Sequence, residues 1–113
     1  MIARTRINLT TTDAVGDPVP VGTNTVAVVQ IVGPGTSNWS SGVASLQYSL
    51  EIGQDLNGIS LESWTAFSPT VTFTSTTAAQ SNIAVTGLGY LRLKCTTAQS
   101  AALDNANVIW RLQ

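Results

Sequence analysis

The side chains able to do chemistry in this 113-residue chain are six acids, Asp13, Asp17, Glu51, Asp55, Glu62 and Asp104, five bases, Arg4, Arg6, Arg92, Lys94 and Arg111, and the lone Cys95. There is no histidine. Ser-His and Cys-His relays and histidine-based zinc sites are therefore excluded, because each needs an imidazole to move a proton or hold the metal. Glycoside hydrolysis needs two carboxylates on opposite sides of one bond. Here all but Glu51 fall in predicted loops or at strand ends, the pattern of scattered, solvated acids. No catalytic residue is assigned, and an enzyme is not expected.

One acidic cluster remains, Glu51, Asp55, Asn57 and Glu62 around the loop Gly53 to Glu62. Oxygen ligands this close in sequence suit Ca²⁺. The EF-hand pattern fails, since Leu56 stands at its glycine position and Gly53 at a ligand position. The choice is between an irregular calcium loop and an Asx-type turn closed by Asn57-Gly58. Neither a metal nor any other cofactor is assigned. Gly33-Pro34-Gly35-Thr36 lacks the lysine and the spacing of a phosphate loop and reads as a turn. Cys95, on the apolar phase of a strand-like run, reads as a buried thiol.

The bases carry more information. Arg4 and Arg6, and again Arg92 and Lys94, are two residues apart, so each pair projects from one face of its strand, and Arg111 stands on the last strand. All five are expected on strands and the acids chiefly in loops, giving a sandwich with one basic face and acidic rims. Such cations either discourage edge pairing or form a docking code that meets an acidic patch on another copy or partner. Five cations against six anions give no net attraction to phosphate, so nucleic acid is not an expected partner. Trp39 joins the candidate contact residues. It lies in the polar, glycine-flanked loop Gly33 to Gly42, where subunit contact, sugar stacking or tucking over the end of the fold would each cover an indole. Trp64 and Trp110 lie in strand-like runs and are expected in the core.

The elements that position these residues read as strands. Candidates are Ile2 to Thr11, Thr25 to Val32, Val43 to Ile52, Ser63 to Phe67, Thr70 to Thr76, Asn82 to Thr86, Tyr90 to Thr97 and Asn107 to Leu112, rich in β-branched and aromatic residues. Gly16-Asp17-Pro18, Gly33-Pro34-Gly35, Asn57-Gly58, Ser68-Pro69 and Gly87-Leu88-Gly89 read as the turns between them. Thr97 to Asn105 is the one helix-friendly window, with a loop as its alternative. In Val43 to Ile52 the alternation is nearly complete, Leu46, Tyr48, Leu50 and Ile52 against Ser45, Gln47, Ser49 and Glu51, which predicts one wet face. About eight strands without interleaved helices predict an all-β, two-sheet antiparallel sandwich, a jelly roll first and an immunoglobulin-like sandwich second. The length suits one domain over 1–113, with 1–22 as an N-terminal arm able to reach a neighbour.

Charged residues make up 10% of the chain, against roughly 25% in ordinary soluble proteins, and the net charge is −1. A surface so neutral favours self-association over solitary life in solution. The start MIARTRINLT has no apolar signal-peptide core, and no window of about 18 apolar residues occurs, so neither secretion nor a membrane partner is expected.

Tyr48-Ser49-Leu50-Glu51, then Trp64, then Gly89-Tyr90-Leu91-Arg92-Leu93 resembles the central pattern of discoidin-type jelly rolls, over about half the chain. The chain departs from it in its longer Gly53 to Glu62 loop and in Gly89, where the pattern has a basic residue. The same arrangement in a short, charge-poor chain rich in Ser and Thr also resembles small virion proteins of tailed bacteriophages, head decoration (cement) proteins above all. That resemblance implies an oligomer, a homotrimer by symmetry, bound to the major capsid protein, made in the host cytoplasm and located in the virion. The competing class is a carbohydrate-binding or host-adhesion module of a tail or fibre, with a glycan as its partner.

Overall fold

The computed structural model describes residues 1–32, 42–73, 77–99 and 105–113, apart from the side chains of residues 77, 78 and 105. Eight strands form two antiparallel sheets. They are β1 (Ile2–Asn8), β2 (Val19–Pro20), β3 (Val26–Val32), β4 (Gly42–Ser49), β5 (Thr65–Phe73), β6 (Thr77–Ala84), β7 (Tyr90–Thr97) and β8 (Asn105–Leu112). One sheet has the order β1-β8-β3-β6 and the other β2-β7-β4-β5.

This order is that of a jelly roll. Doubling the chain into one long hairpin pairs β1 with β8, β2 with β7, β3 with β6 and β4 with β5. Rolling that ribbon up adds the β3–β8 and β4–β7 pairings. The immunoglobulin-like alternative is overturned, because that sandwich is built largely from hairpin neighbours. Here, among the described strands, only β4 and β5 are adjacent in both sequence and sheet.

Several element boundaries differ from expectation: β1 ends at Asn8, β4 at Ser49, β6 runs Thr77–Ala84 in place of Asn82 to Thr86, and β8 starts at Asn105. Two differences have clear physical causes. Ser68-Pro69 is no turn; it lies within the continuous strand β5, at the edge of its sheet. The register jumps from Ser45↔Thr70 to Leu46↔Phe67, so Ser68 and Pro69 form a bulge. An edge strand at a bulge needs no N–H from proline. The two-residue β2 is too short to leave an alternation in the sequence. Residues 1–22 lie along the body of the sandwich. β1 pairs with β8, Ile7 and Leu9 are buried, and residues 13–16 exchange backbone hydrogen bonds with Leu93 and Cys95 before β2 pairs with β7.

The core fills the space between the sheets. Ala27, Val29 and Ile31 of β3 and Ala106, Val108, Trp110 and Leu112 of β8 face Leu46, Val71, Phe73, Leu91, Leu93 and Cys95 of the other sheet, all fully or almost fully buried. Burying each large aliphatic side chain contributes about 1.5–3 kcal/mol. Trp110 is a core residue as its context predicts, though among the described residues its indole N–H finds no acceptor. Gly89 explains a departure from the discoidin-like pattern. Its φ is +74°, and a Cβ there would lie 2.6 Å from the Ser49 carbonyl oxygen and 2.7 Å from that of Leu50. No side chain fits, so a basic residue is excluded at that position.

The expected wet face of β4 is covered. Ser45, Gln47 and Ser49 are only 9%, 8% and 1% exposed. The alternation holds only as far as Ser49, beyond which Leu50 is exposed outside the strand, and the solvent is missing from the polar side because side chains from β7 and from the β4–β5 connection lie over it.

Candidate interaction face

Alternation along β1 turns Ile2, Arg4 and Arg6 outward while Ile7 enters the core. The pairing of β1 with β8 sets Ile2 opposite Arg111, Arg4 opposite Ile109 and Arg6 opposite Asn107. The pairing of β8 with β3 extends these rows to Val28, Gln30 and Val32. Facing side chains in such rows lie about 5 Å apart, so Arg4, Arg6 and Arg111 share one outer surface with an aliphatic stripe. No acidic residue occurs on any of the four strands of this sheet. Among the described residues, none of the three arginines meets a carboxylate.

The other two cations are elsewhere. All five bases are on strands, but Arg92 and Lys94 lie on β7 in the opposite sheet, so the single basic face expected from the sequence is divided in two. Both residues are already engaged. Arg92 Nε donates to Gln47 Oε1 at 2.9 Å, and its guanidinium carbon lies 4.1 Å from the Trp64 ring centroid. Trp64 Nε1 in turn donates to Glu62 Oε1 at 3.0 Å. Trp64 is thus half-buried on the outer face, a correction to its expected place in the core. Burial under this stack lowers the Arg92 pKa from the usual arginine value, against the opposing pull of Glu62. Lys94 Nζ lies 3.4 Å from Asp13 Oδ1. Trp39 falls outside the described residues.

Three of the six acids, Glu51, Asp55 and Glu62, lie on the connection from β4 to β5, while Asp13 and Asp17 lie between β1 and β2 and Asp104 falls outside the described residues. β4 ends at Ser49, so Glu51 is a loop residue, as are Asp55 and Glu62. This connection is an ordered hairpin. Gln54 bridges Ser60, Leu61 N donates to Gly53 O, and Asp55 Oδ1 accepts from the amides of Asn57 at 2.8 Å and Ile59 at 2.9 Å. Asp55 therefore closes the Asx-type turn of the two readings above, with Gly58 at φ +77° completing it. Its tip is apolar, with Leu56 fully exposed and Ile59 63% exposed. At its base Leu50 and Leu61 border an open groove of about 360 Å³ that Tyr48 also lines. Sequence reasoning passed over these aliphatic residues, whose signal was a cluster of large apolar side chains inside a turn-rich segment.

No known protein family matches the chain, and no curated protein does. A solved structure similar to it is that of the SPBc2 prophage-derived protein YomS, 13% identical, with a TM-score of 0.49 over 99% of this chain and 94% of that one. At that identity and score the likeness bears on neither function nor origin.

Proposed function

We propose that the protein is a structural component of a bacteriophage virion, a head-decoration protein that binds the assembled capsid as a homotrimer and catalyses nothing. The observation that carries this reading is the outer face of β1-β8-β3-β6, which presents Arg4, Arg6 and Arg111 beside an aliphatic stripe with no acid on any of its strands. A small domain with an uncompensated face of this kind is built for contact. Binding only to the assembled capsid would stabilise it by RT ln(1 + [L]/Kd) at each site, without further chemistry.

The glycan-binding reading has less support. Its lip would be Trp39 with the Gly53 to Glu62 hairpin; Trp39 falls outside the described residues, and the large exposed side chains of the hairpin are the aliphatic Leu56, Ile59 and Leu61. The test is to add the purified protein to heads of the phage whose genome encodes it. Saturable co-sedimentation at a fixed ratio, with regularly spaced density in electron micrographs, is expected. Heads that remain bare at saturating protein, or a glycan-array signal without head binding, would overturn the reading.

A further inference from the structure

We infer that the arginine face of one copy is filled by the β4–β5 hairpin of a second copy, so that the protein assembles head to tail into a closed ring. The two surfaces match in charge and in polarity. The face carries three positive charges, Arg4, Arg6 and Arg111, with Ile2 and Ile109 among them. The hairpin carries three negative charges, Asp55 near the tip with the exposed Leu56 and Ile59, and Glu51 and Glu62 at its base, where Glu62 also accepts from Trp64 Nε1.

The alternatives within a self-assembly are repulsive. A two-fold contact of face on face would set arginines against arginines, and hairpin on hairpin would set acids against acids. Only the unlike surfaces attract. They lie on different parts of the molecule, the face on one sheet and the hairpin on a loop of the other, so their contact is heterologous, and a heterologous contact that closes makes a ring. The hairpin is also prepared for the role. Its backbone is held by the Asp55 bonds before any partner arrives, so little ordering entropy is lost on docking.

This assignment deepens the assembly reading and rests on it, and it is tested in solution without heads so that its failure and that of head binding are separate results. Sedimentation of the wild-type chain should give about three times the 11.8 kDa monomer mass. A face variant, Arg4→Glu with Arg111→Glu, and a hairpin variant, Leu56→Asp with Ile59→Asp, should each sediment as monomers. All four positions are solvent-exposed, and circular dichroism verifies that both variants fold. Mixed in equal amounts, the two should form a one-to-one dimer and nothing larger, because the intact hairpin of the first fits the intact face of the second. A wild-type monomer at every concentration, a variant that assembles like wild type, or folded variants that do not pair on mixing would each overturn the inference.

Discussion

The Arg92 guanidinium carbon lies over the Trp64 ring, 4.1 Å from its centroid, while its Nε donates across to Gln47 of β4. One side chain therefore ties the β4–β5 connection to β7 and roofs over β4. Arg92→Lys should destabilise the fold by about 1 kcal/mol, since an ammonium cannot stack and donate in the same plane. Trp64→Ala should cost about 1–2 kcal/mol, and the double variant less than the sum, as urea midpoints would reveal. Lys94→Met, which removes only the exposed pair with Asp13, should stay within about 0.5 kcal/mol.

Gly89 and Gly22 both have positive φ, +74° and +59°, but only Gly89 has backbone atoms where a Cβ would stand. Gly22→Ala should cost about 1 kcal/mol for the left-handed backbone alone. Gly89→Ala must also push apart the carbonyls of Ser49 and Leu50, and should cost at least about 2 kcal/mol more. Thermal melts of the two variants side by side measure the difference.

Cys95 is fully buried, and burial, with Asp13 nearby adding to it, raises its thiol pKa. The folded chain keeps that proton at a pH where the unfolded chain has lost it. Stability should therefore be intact below the ordinary thiol pKa, about 8.5, and fall as pH rises through the window above it. Cys95→Ala should flatten that alkaline slope. Thiol reagents should label wild type only at the rate of unfolding.

Asp55 holds the hairpin through two amides, those of Asn57 and Ile59. Asp55→Asn keeps the accepting oxygen and should leave hydrogen-exchange protection at both amides in place. Asp55→Ala should abolish it while changing global stability by about 1 kcal/mol or less, because the bonds are exposed.

How much of this was legible varies with how local the cause is. Tyr90 to Thr97 reads as a strand from its own alternation, and the structure has it with the same bounds. The spacing of Arg4 and Arg6 places both on one face of β1 from the sequence alone. That Arg111 joins them, while Arg92 does not, follows from β1 pairing with β8 and β7 lying in the other sheet, which no local pattern encodes. The same distance in sequence hid the roof over β4. Gln47 looks wet until Arg92, 45 residues away, lies across it. Ser68-Pro69 misled because a proline's usual meaning is reversed on a bulged sheet edge.

Strand β1 pairs with β8, the strand farthest from it along the described chain. Across 111 positions the Met1 ammonium donates to the Leu112 carbonyl oxygen at 2.8 Å, at the end of the β1–β8 ladder. During translation β1 leaves the ribosome well before β8, and the flanks of β1 and β3 that β8 will join stay bare until it emerges. A nascent chain that stalls short of that point leaves those two edges unpaired and open to proteases and to other copies.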